Sequence, residues 1–269
     1  MRVAVLLLAG LLLGPGAVAA ESPGERLYDL MGLPEMVQTM RLEGLRMSAD
    51  LAESYLEAPA GPAFRDMALR IYDPPRMNAT LRGAFVAALD GPVQPLLEFY
   101  GSGTGQQVVA AELSVRRAFL EPGAEQAAER AAGLTEVEAP AFHDWISRVM
   151  AANDLVDRNL GGALTANAHF YLGLAEGGAF ALEEEEIFAD VWQQEEATRI
   201  ETELWLRAFL TAAYRDLPEA DLDAYLALAE SAEGQRLNAA LFDAYGVLYN
   251  QIYRALGLSV STLLSGEEL

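Results

Sequence analysis

The sequence contains no cysteine and no lysine among its 269 residues. Without cysteine the chain has no disulfides, thiolate nucleophiles, iron–sulfur clusters or cysteine-ligated zinc sites, and it lacks the lipid-bearing residue of a bacterial lipoprotein. Without lysine it lacks the residue needed for a Walker-type phosphate site, a Schiff base or a lysine general base. These two absences exclude several classes of enzyme.

Positive charge is also scarce, because 18 arginines face 40 acidic residues and leave a formal net charge of −22. Duplex nucleic acid and anionic membrane surfaces are bound chiefly by clustered cations. The charge balance therefore predicts no nucleic-acid partner and favours basic or neutral partners.

The first 20 residues have the pattern of a secretory signal peptide. Arg2 precedes an apolar run over residues 3–13, a glycine–proline break and small residues that end at Ala20. The apolar run is shorter than the roughly 20 residues that a helix needs to span a bilayer. We expect cleavage after Ala20, a periplasmic or secreted product, and no stable membrane anchor after cleavage.

Beyond residue 32 the apolar residues recur every three or four positions, which is the spacing of one helix face. No sustained alternation with β-branched residues is present, so strands are not expected. The sequence predicts an all-α helical bundle. Proline and glycine clusters predict breaks between helices at residues 58–62, 73–75, 90–92, 121–123, 161–162, 177–178 and 217–218.

The chain also contains an internal repeat, in which one block of residues recurs with the same spacing in the second half. Leu97, Ser102, Gly105 and Gln106 recur in this way as Leu226, Ser231, Gly234 and Gln235. We interpret the chain as a signal peptide (1–20), a first helical repeat (21–120), a linker (121–141), a second helical repeat (142–258) and a C-terminal tail (259–269). The two repeats are expected to pack about an approximate two-fold axis.

The repeated block has a structural interpretation. A serine that caps the following helix stabilises it by ~1 kcal/mol. A glycine inside that helix costs roughly 0.5–1 kcal/mol, which indicates close approach of another backbone. The glutamine has the donors to bond near the cap or to a neighbouring helix. The motif residues are Tyr100, Ser102, Gly105, Gln106, Ser231, Gly234 and Gln235.

The first copy of the block, LLEFYGSGTGQ over residues 96–106, resembles the signature of a bacterial secreted family known as domain of unknown function 2059. That signature is an apolar residue followed by Phe-Tyr-x-Ser-x-x-Gly-Gln/Arg. The second copy, YLALAESAEGQ over residues 225–235, is similar but carries Leu228 and Ala229 at the aromatic pair. The resemblance implies two tandem copies, the second divergent, of a secreted helical domain. It implies no known activity and supplies no catalytic residue.

Candidate metal and cofactor sites have simpler interpretations as structure. His143 and His169 lack the partners of a metal motif, and the acidic run over residues 183–186 lacks EF-hand spacing. Methionines that could capture copper have the spacing of a core stripe; they are Met31, Met36, Met40 and Met47. We therefore expect no metal site, no cofactor and no catalytic residue.

The aromatic residues Phe242, Tyr245, Tyr249 and Tyr253 cover more than one side of the last long helix. A helix that is apolar on several sides is either central or in contact with something else. These four residues are the candidate face for a partner or ligand.

Together these patterns favour a non-enzymatic interaction or scaffold module with an unknown protein partner. The alternative is a carrier of a small apolar or lipid-like ligand between the repeats, and a weaker alternative is a carboxylate-based hydrolase. A scaffold fills the inter-repeat space with Tyr, Phe and Met side chains, whereas a carrier leaves a cavity of ~300 Å³ or more. A hydrolase needs two acids of perturbed pKa that converge in a cleft.

Overall fold

The structure is a computed structural model that describes residues 21–56, 61–181 and 183–264. All regular secondary structure within these ranges is helical, which confirms the predicted all-α bundle. None of the helices in the described ranges is long and apolar enough to cross a membrane. The predicted signal peptide and the last five residues of the predicted tail lie outside the described residues.

The first half of the chain contains helices α1 (Pro23–Leu30), α2 (Leu33–Leu56), α3 (Pro62–Ile71), α4 (Pro74–Ala88), α5 (Gln94–Tyr100) and α6 (Gly103–Ala118). Local sequence explains where several of them begin. The Ser22 hydroxyl accepts from the Glu25 amide at 3.2 Å, and the Glu25 carboxylate accepts from the Ser22 amide at 2.7 Å. This capping box starts α1, and the Asp73 carboxylate caps α4 in a similar manner.

The rest of the described chain contains α7 (Ala124–Glu138), α8 (Pro140–Ala152), α9 (Leu155–Glu176), α10 (Glu184–Trp192), α11 (Glu195–Tyr214), α12 (Glu219–Glu230) and α13 (Ala232–Leu264). The segment interpreted as a linker thus contains a whole helix, α7. The segment interpreted as a tail continues α13 to Leu264, and Val260 and Ser261 are buried there.

The predicted break at residues 161–162 is wrong, because both glycines lie inside α9. Leu160 and Leu164 flank them and are buried. The packing of these side chains offsets the roughly 2 kcal/mol of helix propensity that two glycines cost relative to alanine. The other predicted breaks coincide with helix boundaries wherever the structure describes them.

The two halves interlock through their last helices. Besides its contacts in the first half, α6 packs on α11 and α12, while α13 packs on α9 and also on α4 and α5. The buried cores show the same arrangement. Val108 of α6 lies in a core with Trp145 of α8, and Leu248 of α13 lies in a core with Phe85 of α4. Each half therefore completes the core of the other.

Candidate functional site

The repeated motif joins two pairs of helices with the same geometry. The Ser102 hydroxyl oxygen accepts from the Gly105 amide at 3.1 Å, and the Ser231 oxygen accepts from the Gly234 amide at 3.0 Å. Each hydroxyl also donates, at 2.6 Å, to the carbonyl three residues earlier in the chain. These bonds fix the direction in which α6 leaves α5 and in which α13 leaves α12.

Both motif glycines lie against the backbone of the preceding helix. A Cβ atom at Gly105 would lie 2.1 Å from the Phe99 carbonyl oxygen, and one at Gly234 would lie 2.0 Å from the Leu228 carbonyl oxygen. Any side chain at either position would force the junction open. The close approach expected from the sequence is therefore made by the helix immediately before each glycine.

The two motif glutamines make the same backbone hydrogen bond, each to the serine of its own copy. The Gln106 amide donates to the Ser102 carbonyl at 3.1 Å, and the Gln235 amide donates to the Ser231 carbonyl at 3.0 Å. The Gln106 side chain also donates to the carbonyls of Tyr100 at 2.5 Å and Leu30 at 2.9 Å. It thereby ties the α5–α6 junction to the end of α1, although both Gln106 and Gln235 are exposed.

The predicted partner face on α13 lies largely inside the protein. Tyr245, Tyr249 and Tyr253 are partly buried against the core that contains Phe85, with successive ring centres 6.2 and 6.4 Å apart. Burial, with a smaller effect of Tyr249, raises the pKa of Tyr253 to about 12. Phe242 is also partly buried. This stripe packs within the protein and leaves little area for a partner.

The aromatic residues of α13, from Phe242 to Tyr253, contact other helices of the chain at both ends of the series. The Tyr253 hydroxyl donates to the Met47 sulfur at 3.2 Å, which links α13 to α2. The Arg158 guanidinium of α9 lies 5.8 Å from the centre of the Phe242 ring. Met40 is buried, and Met31, Met36 and Met47 pack against the same core. These methionines therefore pack as a core stripe.

A half-buried acid, Glu112, joins α6 to the second half. The Tyr214 hydroxyl of α11 donates to the Glu112 carboxylate, and Tyr225 of α12 hydrogen-bonds the same group. Burial raises the pKa of Glu112 to about 6, although the two tyrosine hydroxyls act in the opposite direction. Glu112 thus accepts hydrogen bonds from two helices of the other half.

One turn further along α6, Arg116 forms a paired contact with Glu43 of α2. Its Nε and Nη2 atoms donate to the two carboxylate oxygens at 2.6 and 2.7 Å. The same guanidinium lies 5.4 Å from the centre of the Trp205 ring of α11. The carboxylates of Glu43 and Glu112 are therefore each engaged by a different partner, which is unlike the pair of acids that a hydrolase requires.

His143 and the acidic run also have partners within the chain, whereas the buried Nδ1 atom of His169 has no hydrogen-bond partner among the described residues. His143 Nδ1 lies 3.2 Å from the Thr135 hydroxyl, and burial together with Arg254 lowers the pKa of His169. In the acidic run, the Glu183 amide donates to the Glu186 carboxylate at 3.0 Å and so caps α10. Among the described residues, no three metal-ligating side chains are grouped as a metal ion would need.

A groove of about 290 Å³ lies where α6, α7 and α11 meet. Its walls are largely apolar; they are formed by Val115, Ala118, Phe119, Ala124, Ala127, Ala128, Ala131, Thr211, Ala212 and Arg215. Thr211 is 1% exposed, and its hydroxyl has no hydrogen-bond partner in the described part of the chain. Arg215 is exposed and belongs to none of the ion pairs between described residues.

Sequence reasoning missed this groove, although part of its signal is present in the chain. Ala124, Ala127, Ala128 and Ala131 have the three-and-four spacing of one helix face, which indicates a helix with a shallow contact surface. Thr211 and Arg215 are four residues apart and so lie on one face of α11. The spacing does not show that these faces of α7 and α11 pack against each other.

Comparison of this chain with protein-family models, with curated proteins and with solved structures found no match in any of the three searches.

Proposed function

We propose that this protein is a non-enzymatic helical module, periplasmic or secreted, that acts by binding a protein partner. The observation that carries the proposal is the filled space between the halves. Tyr245, Tyr249 and Tyr253 occupy it, and the acids that border it are held by arginine or tyrosine side chains. Such an interior supports a rigid scaffold better than a catalytic cleft. Because the aromatic residues of α13 are used inside, the partner would bind exposed apolar residues such as Trp192 of α10 and Ile200 and Leu204 of α11.

The proposed duplication, with each copy resembling domain of unknown function 2059, is supported by the order of the helices. Within the described part of the chain each half contains six helices, so that α1 to α6 correspond in order to α8 to α13. Helix α7 lies between the two series. Packing pairs also correspond, since α1 packs on α5, α4 and α2 much as α8 packs on α12, α11 and α9. The interlocking of α6 and α13 is what an approximate two-fold axis between the copies would produce.

A second candidate function is the binding of a small apolar ligand between the halves. The groove between α6, α7 and α11 favours it, because these helices come from the first half, the connecting segment and the second half. Its volume of about 290 Å³ is close to the lower limit of roughly 300 Å³ for ligand pockets.

Native mass spectrometry of the protein purified from the cells that make it tests both functions. A scaffold is expected to co-purify with a second polypeptide at a fixed stoichiometry. A carrier is expected to release a small mass on denaturation, and this mass should be absent from the Ala128→Leu variant, in which the groove is filled. A bare chain under gentle, low-salt purification contradicts both functions.

A further inference from the structure

We infer that the groove between α6, α7 and α11 binds a small carboxylate with an apolar chain, and that Arg215 holds the carboxylate. This inference rests on the second candidate function, that the groove takes a small ligand. It is independent of whether the protein also binds a protein partner.

The polar side of the groove indicates that the ligand's head group is a carboxylate. Among the described residues that line the groove, Arg215 alone is charged, and like several other arginines it belongs to none of the ion pairs in the described ranges. A guanidinium presents two parallel donors that match the two oxygens of a carboxylate. Arg215 is thus a cation of the right geometry without a partner of its own.

Thr211 provides a second, independent observation at the same wall. It lies one helical turn before Arg215, and it is 1% exposed, yet its hydroxyl is unpaired in the part of the chain described. A buried hydroxyl that lacks a partner is destabilising, because it has lost its hydrogen bonds to water without replacing them. The hydroxyl has almost no accessible surface in this rotamer, so rotation about χ1 must first turn it into the groove; one ligand oxygen can then bond both Thr211 and Arg215.

Charge along α11 places the carboxylate at the Arg215 end of the groove. The opposite end holds an acid, since Glu125 of α7 interacts electrostatically with Arg116 and Glu43. Arg116 lies beside Trp205, which precedes Arg215 by about 15 Å along α11 at the rise of an α-helix. Arg116 at that end is already paired with Glu43, so an anionic group is drawn to Arg215 at the other end.

The remaining walls suit an unbranched apolar chain. The alanines of α7 are small, and Phe119 lies at the end away from Arg215, with its ring centre 6.3 Å from that of Trp205. If each non-hydrogen atom takes roughly 30 Å³, as a water does in the liquid, the groove holds about ten such atoms. Octanoate has this size and supplies both the carboxylate and the chain.

Titration calorimetry with the chain from residue 21 onward tests the inference, using octanoate, octanol and octylammonium near neutral pH. We expect octanoate to bind several-fold more tightly than octanol, because the ion pair with Arg215 is formed at an exposed site where solvent screens it. Octylammonium should bind more weakly than both. Arg215→Gln should remove the preference for octanoate, and Thr211→Val should reduce octanoate affinity several-fold.

Two further variants separate the possible outcomes. Arg70→Gln makes the same charge change on the exposed surface of α3 and should leave octanoate binding unchanged, whereas Ala128→Leu should abolish it. Equal binding of octanoate and octanol, or no effect of Arg215→Gln, overturns the carboxylate inference while leaving an apolar-ligand site in place. Failure of octanoate and octanol alike to bind overturns the inference and the carrier function together.

Discussion

Gly173 of α9 and Gly257 of α13 lie where these two helices touch backbone to backbone. A Cβ atom at Gly173 would lie 2.2 Å from the Arg254 carbonyl oxygen, and one at Gly257 would lie 2.0 Å from the Phe170 carbonyl oxygen. One turn further on, a Cβ at Gly177 would lie 2.5 Å from the Cβ of Ser261. Bare backbone on both sides is thus what allows α13 to lie close along α9.

Substitution of alanine at this contact should be strongly destabilising. We expect Gly173→Ala and Gly257→Ala each to lower the free energy of unfolding by about 3 kcal/mol or more, because the new methyl meets rigid backbone on the other helix. Urea unfolding followed by circular dichroism measures this. Gly246→Ala on α13 is the control, since a Cβ there meets no atom within 4 Å. An unchanged midpoint for Gly257→Ala would contradict the contact.

The motif glycines allow a comparison between the two copies. Gly105→Ala and Gly234→Ala should each cost about 2–4 kcal/mol, and by similar amounts, because both place a methyl against a carbonyl oxygen of the preceding helix. Gly103→Ala, only two residues away, should be nearly neutral, since its Cβ meets no atom within 4 Å. Unequal costs at Gly105 and Gly234 would show that the two junctions are not equivalent.

Removal of the Glu112 carboxyl group should change how stability depends on pH. The pKa of Glu112 is raised by burial from its ordinary value of 4.5 to about 6, so the folded protein binds this proton more tightly than the unfolded chain. The resulting stabilisation is complete below pH 4.5 and is lost as the pH rises through about 6.

Glu112→Gln removes this titration and keeps an acceptor for Tyr214. We expect the variant to be more stable than the unmodified protein at neutral pH, by up to about 2 kcal/mol, with the difference vanishing in acid. Urea midpoints measured across this pH range provide the test. Glu136→Gln on the exposed surface of α7 removes the same charge and serves as the control. A difference that grows as the pH falls would have the wrong sign.

The interlocked halves should stay together when the chain is cut between them. A protease site inserted in the loop over residues 121–123 allows the chain to be cut into two fragments. The first fragment ends before α7, and the second begins with α7. We expect the cut fragments to co-elute in native buffer and to separate in urea, because each holds a helix in the core of the other. Fragments that separate in native buffer and keep full helix content would rule out the interlocking.

Part of this architecture is readable from the sequence and part is not. Apolar spacing predicted helices, and the serine caps at Ser102 and Ser231 followed from the residue type and position. The break predicted at residues 161–162 was wrong, because burial of Leu160 and Leu164 outweighs the propensity of the glycines between them. Periodicity shows which face of a helix is buried. Which other helix packs on that face depends on the tertiary structure as a whole.

Glu112 and the groove show the same limit at the candidate site. In the sequence Glu112 looks like any charged residue of a helix surface, and it is partly buried because α11 and α12 of the second half pack on α6. The repeated serine, by contrast, bonds within three residues, so its role depends on local sequence alone. Features built by neighbours in the chain were predictable, and features built by distant helices were not.

The position of α13 also has a consequence for how the protein is made. The core around Phe85 requires Leu248, which the ribosome adds long after α1 to α4 have emerged. Until then the nascent first half exposes an apolar surface that α9 and α13 later cover. Contacts between such distant segments slow folding, so synthesis leaves an interval in which a chaperone has a surface to hold.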